Sequence, residues 1–188
     1  MERLHLVGYS DGACKIPGKP GRYPGGWGAV VINSSGPTTL KWVAYGGEKK
    51  TTNNEMELMG LRRLLDMIPK GCHITIRLDS KYVLQGLVKD GKGELGTRNE
   101  AASFIKSKTI TTPGEAHFGG WVGGWMKYGW KTKAGKDVAN RPLWEEIVEK
   151  CQSLVAAGTT LKFEHCKGHS GEEGNELADK LSNLAIPM

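Results

Sequence analysis

The sequence predicts an α/β fold in which a mixed five-stranded sheet is flanked by helices. Two observations predict it. The first forty-odd residues hold three strand-like runs joined by short, turn-rich links, which make antiparallel neighbours. From Thr52 onward, helix-patterned stretches alternate with short apolar runs, which adds strands to the same sheet with helices packed on it. The three early strands are Leu4–Ser10, Trp27–Asn33 and Thr38–Tyr45, the last after Ser34-Ser35-Gly36-Pro37. The glycines between Gly18 and Gly28 read as turn formers. They are not a phosphate-binding loop, because no Gly-Lys-Ser/Thr opens a helix behind them. Thr52–Ile68 is expected to be a helix with an asparagine-rich cap region, stopped by Pro69-Lys70-Gly71. His73–Leu78 alternates as a strand does, and Ser80–Lys89 follows as a helix. Pro142 suits the first turn of a helix running through Trp144, Ile147 and Val148 to about Ala157, where Gly158 ends it. Thr159–Cys166 is the fifth strand and Gly171–Ala185 the terminal helix.

A chain of 188 residues is expected to form one domain and to bury about 70% of its unfolded surface without staples. No apolar run is long enough to span a membrane and no charged-then-apolar leader is present, so a cytoplasmic protein with no membrane association is expected. Cys14, Cys72, Cys151 and Cys166 are scattered without a Cys-x-x-Cys pair, and reduced thiols are expected. His165, Cys166 and His169 lack the spaced second pair that a zinc site needs. The net charge is +6. Its distribution matters more than its size: Lys127, Lys131, Lys133, Lys136 and Arg141 face a single acid, Asp137, between Trp121 and Arg141. Such clustering is an electrostatic footprint for phosphates. Residues 90–120 differ in character, opening on Asp90-Gly91-Lys92-Gly93 and closing on Gly119-Gly120, with little apolar periodicity outside Ala101–Ile105. The segment reads either as a surface insertion or as an extension of a substrate-binding surface.

Four acids stand out: Asp11, Glu57, Asp79 and Asp179. Asp11 ends an apolar run and precedes a glycine. Glu57 shares a helix face with Leu61 and Leu64. Asp79 closes the alternating segment His73–Leu78, and Asp179 follows Asn175 by one helical turn. Charged acids are rarely buried unless paired or bound to metal. Four of them at separate strand ends and helices point to a divalent-cation site assembled by the fold.

The motifs around these acids carry a resemblance. Asp11-Gly12-Ala13-Cys14, Thr51-Thr52-Asn53-Asn54-Glu55-Met56-Glu57-Leu58, Leu78-Asp79-Ser80-Lys81-Tyr82-Val83, and Lys167-Gly168-His169-Ser170-Gly171 through Asn175-Glu176-Leu177-Ala178-Asp179 occur in this order. Together they closely resemble type 1 ribonuclease H, from about residue 4 to 185, interrupted by the segment near 90–120. The derived layout agrees with the five-stranded ribonuclease H-like fold.

The resemblance implies a stand-alone endonuclease, without an obligate protein partner and expected to be monomeric, that cleaves the RNA strand of RNA–DNA hybrids and leaves 5′-phosphate and 3′-hydroxyl ends. Hard oxygen ligands without a good nucleophile favour Mg2+, with Mn2+ as substitute. Two such ions activate a water and stabilise the leaving oxygen of an in-line displacement. By resemblance, Asp11 bridges both ions, Asp179 completes the one carrying the water, and Glu57 and Asp79 complete the one beside the leaving oxygen. His169, in a Gly-His-Ser-Gly loop, shuttles protons or helps release product. Lys50, Thr52 and Asn140 match a pocket for a DNA-strand phosphate, and Asn53 and Asn54 match readers of 2′-hydroxyls. Trp121, Trp125 and Trp130, with Lys127, Lys131 and Lys133, match the basic handle of bacterial members, whose indoles pack on deoxyriboses and whose lysines neutralise phosphates. Lys81 stands where some relatives have glutamine, and the loop Lys15–Tyr23 is longer and lacks the usual asparagine. Glu55 stands where relatives carry arginine, and is expected either to stabilise the helix start or to repel the DNA strand. The rival readings are a catalytically silent hybrid-binding module and a DNA-processing relative on the same fold.

Overall fold

Along β1 (His5–Cys14), Leu6 and Gly8 face one side of the sheet, while Val7 and Tyr9 face the other, as a two-residue period requires. The structure, a computed structural model, describes residues 3–95, 116–168 and 171–188. Strand β1 pairs antiparallel with β2 (Tyr23–Asn33), which pairs antiparallel with β3 (Leu40–Thr51), a strand on the outer edge of the sheet. Helix α1 (Asn53–Asp66) then crosses to β4 (His73–Leu78), which lies parallel to β1. Next come α2 (Lys81–Leu87), the short strand β5 (Gly93–Leu95), α3 (Trp121–Lys127), α4 (Arg141–Ala156), β6 (Thr160–His165) and α5 (Glu173–Leu184). The strand order is β3-β2-β1-β4-β6-β5.

The sheet therefore has six strands among the described residues, not the five expected. The extra strand, β5, comes from the start of the segment read as an insertion, and its antiparallel pairing with β6 buries Leu95 completely. Ala116 and Phe118, at the far end of that segment, also join the core. The two ends of the segment belong to the packed body, and residues 96–115, including Ala101–Ile105, lie outside the described residues.

One face of the sheet carries the larger core. Leu58, Leu61 and Leu64 of α1, Leu84 and Leu87 of α2, and Trp144 and Ile147 of α4 pack there on Ile74, Ile76, Leu161 and Phe163. Trp144 is buried, as expected of a core residue. It stands edge-on to Tyr82 and Trp125, with ring centroids 5.6 Å and 5.5 Å away, and its indole N–H donates to the Tyr82 hydroxyl at 3.0 Å. Among the described residues, the opposite face is covered at β1 and β2 by α5, through Ala178, Leu177 and Leu181.

Of the glycines read as turn formers, Gly18 and Gly21 do lie in the loop between the first two strands with positive φ, but those that follow do not. Gly25, Gly26 and Gly28 lie inside β2, so that this strand begins at Tyr23. A methyl group on Gly28 would stand 2.6 Å from the carbonyl oxygen of Ala178 in α5, and one on Gly25 would stand 2.6 Å from the Thr51 methyl. Gly12 meets the backbone of α1 at Met56 and Glu57 even more closely. Gly12 and Gly28 are glycine because helix and strand backbones touch there, and Gly25 because neighbouring strands and the Met56 side chain crowd it. These positions also carry β1 past its expected end, through Asp11 to Cys14.

Gly28→Ala should force α5 away from β2 and lower stability by about 3 kcal/mol, the upper range for overpacking. Gly124→Ala, on α3 where nothing lies within 4 Å of the added methyl, should be neutral or stabilising. Urea unfolding of both variants checks the contrast.

Candidate active site

The parallel pairing of β1 with β4 ends at Ser10 opposite Leu78, so Asp11, still within β1, and Asp79, just past the carboxyl end of β4, stand side by side where that pairing stops. Strand β1 is where the sheet changes from antiparallel to parallel, and crevices at such strand ends are the usual ligand sites of α/β sheets. The contact of Gly12 with the first turn of α1 brings Glu57 beside Asp11. Helix α5 reaches the same place from the other face. Gly28, the β2 partner of Asp11, touches Ala178, and the next residue is Asp179. Thus Glu57 and Asp179 flank Asp11, and Asp79 adds its charge to Glu57.

Asp11 is 7% exposed and accepts the Gly12 N–H on Oδ1 at 2.9 Å. Burial pushes its carboxyl up to about 6; Asp179 adds to the rise, while hydrogen bonds from Gly12 and the contact with Glu57 oppose it. Glu57 keeps part of its surface in solvent, yet desolvation and the charges of Asp11 and Asp79 hold it well above the usual carboxylate range. Crowded acids that resist ionisation want a cation. All the donors are hard carboxylate oxygens, the chemistry of magnesium and manganese rather than of softer metals. Among the described residues, no three acids, histidines or cysteines stand close enough to enclose one ion as the side chains lie. The donor set fits a divalent cation in chemistry, with the carboxylates gathered but not closed on a point.

Asp79 is exposed, and the loop after β6 passes over it. A methyl on Gly168 would stand 2.6 Å from Asp79 Oδ2, so only glycine fits there. His165, at the end of β6, holds Nε2 4.0 Å from Asp79 Oδ1, a neighbour that no motif spacing revealed. His169 lies outside the described residues.

The expected substrate residues surround this centre unevenly. Asn53 and Asn54 are exposed in the first turn of α1, and the Thr52 hydroxyl caps that helix by accepting the Glu55 N–H at 3.2 Å. Lys50 is exposed at the end of β3. Asn140 takes a left-handed backbone (φ 61°) before α4, with its Nδ2 3.5 Å from the Tyr82 hydroxyl. The Trp-rich stretch forms a helix, α3, that the sequence reading did not assign. Its indoles divide into two kinds. Trp121 is exposed, but Trp125 and Trp130 are partly buried against the main core, with centroids 5.9 Å apart. Two of the three rings therefore serve packing, while Trp121, tilted against Tyr82 and Trp125 at 6.0 Å and 6.2 Å, is the most exposed of the three. Lys127 and Lys133 are exposed, whereas Lys131 is tied to Asp137 at 2.6 Å, and Arg141 shares that acid at 2.8 Å.

Glu55 does not act as an unpaired repulsive charge. Arg22, from the loop after β1, grips it with two bonds of 2.7 Å and 2.9 Å, and the Thr51 hydroxyl donates to it at 2.7 Å. Burial raises the Glu55 carboxyl, but these partners outweigh it and hold the group below its ordinary value. Loop and helix start are thereby clamped together, with a cavity of about 260 Å³ between the loop and Thr51–Asn53.

The sequence model of the RNase H family matches residues 4–186. The chain belongs to the ribonuclease H family. Curated relatives named Ribonuclease H include one from Acidovorax sp. (strain JS42), 37% identical over 181 residues and covering 96% of this chain and 94% of the relative. Another, from Francisella tularensis subsp. novicida (strain U112), is 36% identical over 185 residues, 98% of this chain and 93% of the relative. Among solved structures, a type 1 RNase H with the type 2 active-site motif superposes with a TM-score of 0.66 at 23% identity, covering 99% of this chain and 74% of that one. An RNase H1 solved in complex with RNA/DNA hybrid gives 0.54 at 19% identity, covering 96% of each chain. At these identities the solved structures bear on the fold, which they share with this chain as a mixed sheet flanked by helices.

Glu55→Gln should untie the Arg22 loop. Hydrogen exchange at residues 15–22 should then quicken about tenfold, as expected for the loss of a local tether, while exchange in the central strands stays unchanged. Equal loop protection in variant and parent would show that the clamp holds nothing.

Proposed function

We propose that this ribonuclease H hydrolyses the RNA strand of RNA–DNA hybrids as a divalent-metal-dependent endonuclease, leaving 5′-phosphate and 3′-hydroxyl ends. The observation that carries the reading is the gathering of Asp11, Glu57, Asp79 and Asp179 from four separate elements beside one strand end. A pure binding module gains nothing from negative charge crowded near phosphates. Two Mg2+ ions held by these acids, with Mn2+ as substitute, would supply an activated water and charge neutralisation at the leaving oxygen.

The chain's own residues set the remaining conditions. Asp11, central among the four and the most buried, defines where the scissile phosphate must come. The exposed Asn53 and Asn54 offer amides to 2′-hydroxyls, and Lys50, Thr52 and Asn140 offer donors to a phosphate of the DNA strand. Trp121 gives a surface for a deoxyribose, and the exposed Lys127 and Lys133 bring positive charge to the backbone beside it, with Lys131 contributing less because Asp137 already holds it. His169 is assigned a proton-shuttling or product-releasing role on its motif. The reading further makes the chain a monomer acting in the cytoplasm. Among the described residues, no helix is long and apolar enough to cross a membrane.

The deciding experiment offers labelled RNA–DNA hybrid, duplex DNA and duplex RNA with Mg2+ and with chelator. Cleavage is expected only in the RNA strand of the hybrid and only with metal. Cutting of duplex DNA would favour a DNA-processing relative instead. Asp11→Asn should abolish cleavage while hybrid binding survives or tightens. A residual rate above about a tenth of the parent's would sink the cation assignment. Mg2+ should raise the melting temperature of the parent by ligand linkage and leave Asp11→Asn unmoved.

Replacing Lys127, Lys131 and Lys133 together with alanine should raise KM far more than it lowers kcat. The log–log salt slope of binding should flatten by roughly one unit per lost phosphate contact. Two units are expected rather than three, because Lys131 is already paired; an unchanged slope would remove the lysines from the phosphate path.

A further inference from the structure

The face of the sheet covered by α5 holds a polar cluster that no role assigned so far explains. Glu172 occupies the N-cap position of α5, yet its carboxylate does not cap the helix. It turns beneath the helix instead. Oε1 accepts the Tyr9 hydroxyl at 2.5 Å, and Oε2 accepts the Cys166 thiol at 2.9 Å. Arg77 Nε lies 2.7 Å from Oε1, but its N–H points off that line, so the contact is an ion pair rather than a hydrogen bond. The other arm of Arg77 donates to Glu164 at 2.5 Å, and Glu164 meets Lys162 at 3.1 Å, so the charges balance.

Where these residues sit gives the cluster its meaning. Tyr9 precedes Asp11 by two residues in β1, and Arg77 precedes Asp79 by two, and the two are register partners on adjacent strands. Glu172 precedes Asp179 by seven residues, two helical turns along α5. Cys166 lies two residues before Gly168, which packs on Asp79, and its bond to Glu172 ties that end of β6 to the start of α5. Gly174, in the first turn of α5, rests on the Tyr9 ring so closely that no side chain would fit. One carboxylate thus ties together the three elements that present Asp11, Asp79 and Asp179.

We infer that Glu172 is a positioning residue for the hydrolytic reaction, fixing α5 and the Gly168 turn against β1 and β4 so that Asp11, Asp79 and Asp179 keep their spacing. The inference rests on the proposed hydrolytic function. Burial raises the Glu172 carboxyl, but the Cys166 and Tyr9 donors and the Arg77 charge outweigh it and keep it ionised. Burial and Glu172 together push the Cys166 thiol up to about 11 and the Tyr9 phenol higher still, so both remain protonated donors at neutral pH. Groups that orient metal-binding side chains typically matter by about 10–100-fold in metal affinity or activity.

The test measures kcat, hybrid KM, the Mg2+ concentration for half-maximal rate and the melting temperature of Glu172→Gln beside the parent. The expected result is a kcat lower by about tenfold and a higher Mg2+ requirement, with hybrid KM held within about twofold, since no substrate contact is lost. A folded Glu172→Gln whose kcat and Mg2+ requirement both stay within about twofold of the parent would overturn the inference, whatever its melting temperature. An inactive parent would overturn the hydrolytic reading itself. Arg77→Gln combined with Glu172→Gln removes the stranded charge, so melting temperature should recover while kcat stays low; recovery of both would reduce the cluster to a purely structural one and overturn the positioning role. Should Glu172→Gln fail to fold, Cys166→Ala deletes one donor alone, with a kcat loss of about threefold expected and no loss overturning the inference.

Discussion

Everything at this site depends on how closely two helix backbones approach the sheet. Gly12 lets β1 touch the first turn of α1, and Gly26 and Gly28 let β2 touch α5. A single methyl at any of these points would wedge a helix outward, and the carboxylate carried on it would move by a comparable distance. Rigid backbone contact is a sound foundation for such a centre, because reacting groups lose effect steeply when displaced by about 1 Å. The same closeness creates the electrostatic cost. Asp11 and Glu57 are held where water is scarce and like charges are near, and both resist ionisation.

The protein meets a neighbouring, half-buried set of charges differently. Around Glu172, every acid has a cation or a hydrogen-bond donor within reach, and the cluster is neutral as a whole. The two groups of polar residues lie on neighbouring parts of the same strands, one balanced from within and the other awaiting positive charge from outside. That contrast separates a framework from a centre of reaction more clearly than burial does.

The four acids drew notice in the sequence because Asp11 and Asp79 close apolar or alternating runs, Glu57 shares a helix face with leucines and Asp179 follows Asn175 by one turn, and the motifs around them gave the family. The helix and strand periodicities from Thr52 onward were equally plain, and β4 has the bounds expected of it. What stayed hidden depends on distance along the chain or on ambiguous spacing. Arg22 and Glu55 are 33 residues apart, and Tyr9 and Glu172 are 163 apart, so no periodicity links them. Tryptophans four residues apart fit a core stripe and a ligand surface alike, and only packing against Trp144 separates Trp125 from Trp121. Glycine in β2 reads as a turn until the helix it accommodates is in view. Strand β5 is three residues long and rich in polar neighbours, too short for any alternation to show.

The outer strand of the sheet has a bearing on how the protein behaves in bulk. Strand β3 is twelve residues long and lies on the sheet's edge, with Leu40, Trp42, Val43 and Tyr45 all exposed. Long apolar edges are templates for pairing with another copy, and lysines along them are a common guard. Here Lys49 and Lys50 fill that part, whereas Lys41 is tied to Glu173 of α5. Their repulsion acts through solvent, over a Debye length of about 10 Å at 0.1 M salt and about 3 Å at 1 M. Attraction between apolar side chains is not screened in this way. Colloidal stability at this edge is therefore a property of the buffer as much as of the fold, and it weakens first in concentrated salt, where the lysines fall silent and the tryptophan and tyrosine do not.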